Sequence, residues 1–425
     1  MYTQSATDRR EKAILVGIKD SRQGNGEESL DELALLVDTA GGTVAGRLLQ
    51  KRESISSGTF LGRGKVEELK DLMEERQADV VVFDADLSPG QVRNLERHLN
   101  AKVVDRSEVI LDIFAQRART REARVQVELA QLEYLLPRLT RLWKHLSRLG
   151  GGIGTRGPGE TQLEVDRRRV RERIAGLKRQ LSRVEKERKV QRQSREDVFS
   201  VAVVGYTNAG KSTLFRALTD ADTLIEDRLF ATLDAKARRL RGRRVPAIVV
   251  TDTVGFIRRL PHHLVTSFRA TLEEVLNADL LVHVVDSSSS HAGEQIGVVE
   301  DVLVEIGAGG KRTVIALNKT DVADPDAVRG LKQKHPGAVE LSALTGQNTE
   351  VLVERILEAA RSDKVLATVE IPLTEERLIS YLRGACEFAH EKVLSDRVRI
   401  RLWAGKKELG RLSQKGVPVR VSRTA

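Results

Sequence analysis

The chain has 425 residues and a formal net charge of +10, from 71 lysine and arginine residues against 61 aspartate and glutamate residues. This length allows two to four domains, and the charge favours a polyanionic partner such as nucleic acid. Aromatic residues make up only 4 % of the chain, which argues against base stacking on exposed rings as the main mode of binding. The single cysteine, Cys386, excludes an internal disulfide and cysteine-rich zinc sites.

The N-terminus lacks the apolar core of a signal peptide. No apolar run approaches the roughly 18 residues of a membrane span. We therefore expect a cytoplasmic monomer that makes no stable insertion into a membrane. Cys386 is expected to be a buried apolar residue on a helix rather than a catalytic nucleophile.

Residues 1–116 are predicted to form a small α/β domain, because apolar strands alternate with helical patterns. The predicted strands cover 13–18, 43–49, 80–83 and 102–104, and the predicted helices cover 29–39, 65–75 and a segment beginning at Ser88 and Pro89. Gly62 to Lys65 either holds a phosphate or is a plain loop and helix cap, and it is not a complete phosphate loop. Asp84 and Asp86 follow a strand and are interpreted as caps rather than ligands.

Residues 117–196 are predicted to form a basic helical hairpin. Apolar residues follow a heptad pattern from Val125 to Leu146 and again from Leu163 to Val184, as in an antiparallel helix pair. Pro137 predicts a kink or break in the first helix. The stretch from Arg167 to Arg192 has twelve lysine or arginine residues and three acidic ones. This excess favours contact with a nucleic-acid backbone over a merely solvated face.

The loop between these two helices has six glycines between Gly150 and Gly159, with Arg156 near its tip. Part of it matches the dinucleotide fingerprint G-x-G-x-x-G, but it lies between helices rather than inside a strand-loop-helix unit. The loop is either a flexible connector or a narrow tip that enters a crowded anionic site.

A phosphate-binding loop is predicted at Gly205 to Ser212, which fits G-x-x-x-x-G-K-[ST] directly after the apolar stretch 201–204. Its backbone amides would surround the phosphates. Lys211 would reach the β- and γ-phosphates, and the Ser212 hydroxyl would ligate Mg²⁺. The helix beginning at Lys211 would direct its positive dipole end at the anion.

Three further elements follow in the order expected for a GTPase domain, which we place at residues 197–362. Asp252 ends a strand and can hold Mg²⁺ through water, while the Gly255 amide can bond the γ-phosphate. Asp321, in the stretch Asn-Lys-Thr-Asp, can accept from guanine N1 and N2, which selects guanine over adenine. Ser342 to Leu344 would support the base through a backbone amide.

The catalytic groups are predicted to be Lys211, Thr232, Asn208 and Gly255. We prefer Thr232 to Thr223 as the threonine that closes over Mg²⁺, because it lies just before a predicted strand. Phe256 stands where Ras-type enzymes have the glutamine that orients water, so hydrolysis needs another group, a partner or an ion. Asn208 is the candidate for holding a monovalent cation such as K⁺ against the phosphates.

The metal ion is expected to be bound by Ser212 and Thr232 directly and by Asp252 through water. The residues expected to contact the nucleotide lie in five stretches: Gly205, Tyr206, Thr207, Asn208, Ala209, Gly210, Lys211, Ser212, Thr213; Phe230, Ala231, Thr232; Asp252, Thr253, Val254, Gly255; Asn318, Lys319, Asp321; and Ser342, Ala343, Leu344.

The chain resembles the HflX-type GTPases, a translation-factor-related class with a hydrophobic residue in place of the catalytic glutamine. Besides the GTPase motifs, the resemblance rests on Gly58 to Leu69 and Gly150 to Arg169, and it covers roughly Ala13 to Arg361. It implies GTP and Mg²⁺ as ligands, ribosome-stimulated hydrolysis, binding to the large ribosomal subunit and its RNA, and splitting or rescue of stalled ribosomes. In some members it also implies ATP binding by the N-terminal unit, for which no complete second phosphate loop is present here.

Residues 363–425 are predicted to form a small α+β unit, with strands at 367–371 and 398–403 and a helix from Glu375 to His390. Basic residues recur from Arg397 to Arg423, and they either contact RNA or keep this end soluble. Two other functions remain open for the whole chain. One is a GTP-dependent switch that binds a protein partner, and the other is a tRNA-modification GTPase, although no group for the modification chemistry is evident.

Overall fold

The computed structural model describes residues 10–19, 26–51, 56–140, 162–193, 198–219, 230, 236–241, 248–258, 269–362 and 364–421. The chain divides into two compact units. The first consists of Met1–Val184, Arg228–Phe230 and Leu260–Phe268, and the second of Glu185–Asp227, Ala231–Arg259 and Arg269–Ala425. Within the described residues, no helix combines the length and apolar character needed to cross a membrane.

The first unit is built on a four-stranded sheet in the order β2-β1-β3-β4, and all of its strand pairs are parallel. The strands are β1 (Lys12–Lys19), β2 (Thr43–Lys51), β3 (Val80–Phe83) and β4 (Lys102–Asp105). β3 is a short apolar run in which every residue is buried, and in β4 only Lys102 is exposed. The predicted α/β fold class is therefore confirmed.

The helices of the first unit are α1 (Gly26–Ala40), α2 (Arg63–Arg76), α3 (Pro89–Leu99), α4 (Arg106–Arg117) and α5 (Arg121–Leu135). α6 (Gln162–Gln193) begins in the first unit and passes into the second after Val184. α3 begins as predicted, because the Ser88 side chain accepts a hydrogen bond from the Gln91 amide and Pro89 takes the first helical position. α4 was not predicted. It follows β4 without a loop, with Asp105 ending the strand and capping the helix at once.

A buried ion-pair network lies at the carboxyl ends of β3 and β4. Arg106, only 2 % exposed, pairs with Asp84 at 2.6 Å and with Glu32 at 2.9 Å. Asp84, interpreted from the sequence as a cap, is itself 1 % exposed and also accepts a hydrogen bond from the Ser29 hydroxyl. Because the charges are desolvated, each depends on the others for compensation. Asp84 is thus a structural ion-pair partner.

The predicted break near Pro137 is confirmed, because α5 ends at Leu135 and a short 3₁₀ turn follows at Arg138–Thr140. Two exposed ion pairs join α5 and α6, Arg173 with Glu128 at 2.7 Å and Lys178 with Glu133 at 2.8 Å. The predicted turn of the hairpin, with its glycines and Arg156, lies outside the described residues, so the hairpin stays a prediction.

The second unit contains a six-stranded sheet in the order β10-β9-β8-β5-β7-β6, parallel except for β6 at one edge. Its strands are β5 (Phe199–Gly205), β6 (Lys236–Arg239), β7 (Ile248–Asp252), β8 (Leu280–Asp286), β9 (Thr313–Asn318) and β10 (Val339–Glu340). Its helices are α7 (Lys211–Thr219), α8 (Arg269–Asn277), α9 (Ala292–Glu305), α10 (Pro325–Lys334) and α11 (Thr349–Arg361). The carboxyl ends of the parallel strands therefore gather the predicted nucleotide loops at one edge.

The second unit ends in an antiparallel sheet of order β12-β13-β11-β14. Its elements in chain order are β11 (Val365–Pro372), α12 (Glu376–Ala385), β12 (Glu387–Val393), β13 (Arg397–Ala404), α13 (Lys406–Gln414) and β14 (Val419–Val421). This βαββαβ order is that of the ferredoxin-like motif. The two helices pack their apolar residues on one face of the sheet.

The prediction of one helix from Glu375 to His390 was wrong, because α12 ends at Ala385 and β12 begins at Glu387. Cys386 between them has extended backbone angles. Pairing with β13 stabilises the extended form of this segment, which local helical spacing cannot reveal. Cys386 is buried as expected, but directly after the helix, and burial raises the pKa of its thiol to about 12.

Candidate nucleotide-binding site

The loop from Gly205 to Gly210 connects β5 to α7 at the carboxyl edge of the sheet. Gly210 has a φ of 91°, and a Cβ atom at this position would lie 2.3 Å from the Asn318 side-chain nitrogen. Both the angle and the close approach require glycine. Asn208 also has a positive φ, of 60°, and its side chain is exposed. The loop thus has the curved backbone that a phosphate cradle needs.

Lys211 lies at the first position of α7 with only 7 % of its surface exposed. Its Nζ donates to the Tyr206 carbonyl oxygen at 2.6 Å, across the loop. Burial lowers the pKa of Lys211 to about 8, and the negative charge of Asp252 offsets part of that effect. A desolvated ammonium beside free helix amides favours the binding of an anion there.

Ser212 and Asp252 meet directly, with the Ser212 Oγ donating to Asp252 Oδ2 at 2.9 Å. Asp252 is fully buried at the end of β7. A hydroxyl and a carboxylate beside a phosphate loop are the oxygen ligands that Mg²⁺ takes in nucleotide sites. The two residues therefore fit the predicted metal position.

The segment after Asp252 is tied to the phosphate loop through its backbone. The Thr207 amide donates to the Phe256 carbonyl at 2.8 Å, and the Phe256 amide donates to the Gly205 carbonyl at 3.1 Å. The Phe256 side chain is 1 % exposed. Phe256 therefore fixes the spacing of the two loops, and its ring has no polar atom with which to position water.

The hydroxyl groups of two predicted residues in this region form hydrogen bonds to the protein backbone. The Thr253 hydroxyl donates to the Val203 carbonyl at 2.7 Å, so only its backbone is available to a ligand. The Tyr206 hydroxyl accepts from the Arg258 amide at 2.9 Å. This second bond was not foreseen, and it adds another link between the phosphate loop and the segment after Asp252.

Asn318 joins the phosphate loop to the loop after β10. Its Nδ2 donates to the Ala209 carbonyl at 2.8 Å, and its Oδ1 accepts from the Ala343 amide at 2.9 Å. Asn318 is 3 % exposed, so both hydrogen bonds are shielded from water. The sequence placed Asn318 in the guanine motif but did not predict this connecting role.

The other residues of the predicted base site surround Asn318. Lys319 has a φ of 62° and forms an ion pair with Asp286 at 2.7 Å, which was not predicted from the sequence. Asp321 and Leu344 are exposed, whereas Ser342 is fully buried. Both exposed side chains are therefore accessible to a ligand.

Ala231 and Thr232 lie outside the described residues, as does the alternative Thr223. Phe230 belongs to the first unit, where its ring is 2 % exposed and lies 4.8 Å from the ring of Phe114, between centroids. The roles of these residues at the nucleotide therefore stay predictions.

Comparison with protein families gives three consecutive matches. The family described as "GTP-binding GTPase N-terminal" matches residues 27–115, "GTP-binding GTPase Middle Region" matches 117–195, and "50S ribosome-binding GTPase" matches 200–319. A protein named GTPase HflX from Lacrimispora saccharolytica is 48 % identical over 87 % of this chain and 86 % of its own length. The chain belongs to the HflX family of GTPases.

Other proteins named GTPase HflX are also similar in sequence over most of this chain. The GTPase HflX of Escherichia coli is 46 % identical over 88 % of both chains, and that of Caldanaerobacter subterraneus is 53 % identical over 74 % of both. As a member of the HflX family, the chain binds guanine nucleotide and hydrolyses GTP. The resemblance stated from the motifs is therefore confirmed.

Substitution of Gly255 by alanine is expected to lower kcat/KM for GTP by about tenfold or more. An added Cβ would lie 2.8 Å from Thr207 Cγ2 and 2.9 Å from Lys211 Nζ, so the lysine or the loop must shift. Steady-state phosphate release measures the effect. The matched control is Gly297→Ala, on α9, where nothing lies within 4 Å of the new atom. Equal activity of both variants would contradict this steric argument.

His283 is expected to make the second unit sensitive to acid. It is 2 % exposed on β8, and burial, with smaller effects from Lys211 and His335, lowers its pKa to about 4. Between this value and the ordinary histidine pKa of 6.5, the unfolded chain binds the proton more tightly than the folded chain. Stability is therefore complete above pH 6.5 and falls as the pH drops toward 4, by about 3 kcal/mol from this group.

Urea unfolding at pH 7 and pH 5 tests this prediction. His283→Leu should reduce the difference in unfolding free energy between the two pH values, because it removes the titrating group. His98→Leu is the control, since His98 is exposed on α3. A pH difference that is the same in wild type and His283→Leu would contradict the assignment.

Proposed function

We propose that this GTPase binds the large ribosomal subunit and uses GTP binding and hydrolysis to split or rescue stalled ribosomes. Two observations support the proposal. The family matched by residues 200–319 is described as a 50S ribosome-binding GTPase, and α6 presents a row of exposed cations that suits ribosomal RNA. The second observation carries the proposal, because it belongs to this chain's own surface.

The row consists of Arg171, Arg179 and Arg183, which we name the α6 stripe. All three are exposed, and none has a hydrogen-bond or ion-pair partner among the described residues. At about 100° per residue, they fall within roughly a third of the helix circumference and extend over about 18 Å. Guanidinium groups bind phosphate oxygens in bidentate fashion, so such a row can follow a nucleic-acid backbone.

The nucleotide site supplies the switch in this proposal. Lys211 and Ser212 would hold the phosphates and Mg²⁺, while Asp252 would hold the ion through water. When bound, the ion supplies charge neutralisation at the γ-phosphate. Thr232 would close over the same phosphate. Because closure requires the γ-phosphate, GTP and GDP would favour different conformations of these segments.

The experiment is sedimentation with purified large subunits in the presence of a non-hydrolysable GTP analogue, GDP or no nucleotide. Co-sedimentation should be strongest with the GTP analogue and should weaken steeply as salt is raised. Failure to sediment with large subunits in any nucleotide state would refute the proposal. Binding that is insensitive to salt would instead favour a protein partner.

We also propose that Asn208 holds K⁺ against the phosphates. Its exposed side chain lies in the loop at a positive φ, and Phe256 offers no polar group for catalysis. GTP hydrolysis should be faster in K⁺ than in Na⁺, and Asn208→Ala should remove the difference. Equal rates in the two salts would count against this role.

A further inference from the structure

One face of the terminal sheet of the second unit is covered by α12 and α13. Within the described residues, neither of these helices covers the other face, although Arg361 of α11 binds Glu387 on it. The inner face carries alternate apolar residues of β11 and β13, which pack against α12 and α13. Along β13, buried and exposed residues alternate, so Arg397, Arg399 and Arg401 lie on the opposite face. We name that opposite face the outer face.

Register identifies which neighbours share the outer face. Arg401 lies opposite Thr368 on β11 and His390 on β12, and Thr368 in turn lies opposite Arg420 on β14. Arg399 lies opposite Glu370 on one side and Lys392 on the other. Cations therefore come from three of the four strands.

The outer face carries a net positive charge. By register, five lysine or arginine residues lie on its strands with two carboxylates: Lys392, Arg397, Arg399, Arg401 and Arg420 against Glu370 and Glu387. Asp396, directly before β13, adds a third carboxylate and accepts from Arg397 at 2.8 Å. Glu387 accepts a hydrogen bond from Arg361 of α11. Glu370 accepts from Arg399 at 2.8 Å and lies 3.6 Å from Arg397.

The other three cations are Lys392, Arg401 and Arg420. They are exposed and make no hydrogen bond or ion pair with the described residues, although the charge of Arg420 helps to lower the pKa of Glu370. They lie on β12, β13 and β14, so together they span the width of the sheet. Adjacent strands are about 4.8 Å apart, which places the cations across a band of roughly 15 Å.

We infer that the outer face binds the phosphate backbone of single-stranded RNA. Four of its five cations are arginines, whose planar groups match phosphate better than ammonium does. A four-stranded sheet of this topology is also the surface on which RNA-recognition domains bind single strands. In such domains aromatic side chains on central strands stack bases, whereas here the centre of the face holds Arg399 and Arg401.

This difference determines the kind of recognition. Trp403 is the aromatic residue of β13 on this face, and Arg361 lies over its ring at 5.8 Å. Binding therefore depends on phosphates rather than on bases, with little sequence preference and a strong salt dependence. An acidic protein is the weaker alternative, because protein interfaces carry an apolar centre that this face lacks.

The inference does not rest on the proposed ribosomal function, since the outer face and the α6 stripe belong to different parts of the chain. The test uses full-length protein and a fluorescent oligouridine of about 20 nucleotides, longer than the site of one small domain. Anisotropy titrations over a range of KCl concentrations give the affinity and its salt slope. The variant is Lys392→Gln/Arg401→Gln/Arg420→Gln.

The matched control is Arg377→Gln/Arg383→Gln/Lys415→Gln. It removes the same charge from the helical side of the same sheet, where these residues are exposed. GTP hydrolysis and the melting temperature confirm that each variant is folded. The double variant Lys392→Gln/Arg401→Gln gives a second measurement with a smaller change to the sheet.

The outer-face triple variant should bind the RNA at least about tenfold more weakly at low salt. The slope of log affinity against log salt concentration should become shallower by about 2, because each of the three lost phosphate contacts contributes about 0.7. The double variant should show about two thirds of this change in slope, and the control should match wild type. The same loss should appear when the α6 stripe is already neutralised, which separates this surface from the ribosomal proposal. The same titrations with fluorescent polyglutamate test the acidic-protein alternative. Unchanged RNA binding would overturn the inference, and so would a loss of polyglutamate binding without any loss of RNA binding.

Discussion

Replacing Asn318 with alanine is expected to weaken GTP binding about a hundredfold. The side chain bonds the Ala209 carbonyl and the Ala343 amide at once, and both bonds are buried. Their loss leaves two backbone groups unsatisfied, at about 1–3 kcal/mol each. Part of the binding free energy of GTP must then be used to order the phosphate loop and the loop after β10. Each 1.4 kcal/mol used in this way lowers the affinity about tenfold.

Fluorescent nucleotide titration measures the effect, and Asn318→Asp provides a sharper version. The aspartate keeps the acceptor for the Ala343 amide but puts a carboxylate against the Ala209 carbonyl. Asn94→Ala is the control, because Asn94 donates to the Gly58 carbonyl at 2.9 Å in the first unit. An affinity for GTP within twofold of wild type in both Asn318 variants would show that the loops do not depend on this side chain.

Replacing Arg106 with leucine is expected to destabilise the first unit by about 3–5 kcal/mol. The guanidinium is the shared partner of Asp84 and Glu32, and Asp84 is almost fully buried. Without Arg106, Asp84 must either remain charged without compensation or take up a proton. Both outcomes cost free energy on folding.

Urea unfolding followed by limited proteolysis of the first unit measures this loss. Arg97→Leu, an exposed substitution on α3, should change stability by less than about 0.5 kcal/mol. Adding Asp84→Asn to Arg106→Leu should recover part of the loss, because the stranded charge is removed. If the double variant is as unstable as the sum of the single variants, the ion pair is not the cause.

The nucleotide site was predictable because its chemistry is local in sequence. The phosphate loop, the aspartate after β7 and the guanine motif are short contiguous patterns, and each lies at the carboxyl end of a predicted strand. The link made by Asn318 was not predictable. Asn318 is 109 positions from Ala209 and 25 positions from Ala343 in the chain, and only the folded sheet brings the three within hydrogen-bond distance.

The errors have physical causes of the same kind. α4 was missed because Asp105 ends a strand and caps a helix without any glycine or proline between them. The helix predicted through His390 stops at Ala385, because pairing with β13 outweighs local helical spacing. Arg106 gave no signal, since a buried arginine cannot be distinguished from a surface arginine until its partners are known.

We propose that GTP binding controls how the α6 stripe contacts the ribosome. This proposal is tested most directly by measuring the splitting of intact ribosomes with the variant Arg171→Glu/Arg179→Glu/Arg183→Glu in the presence of GTP. The control, Arg329→Glu/Lys334→Glu/Arg355→Glu, makes the same charge change on exposed positions of α10 and α11. Wild type and control should split ribosomes, and the α6-stripe variant should not, although it still hydrolyses GTP. Equal splitting by all three proteins would contradict the account.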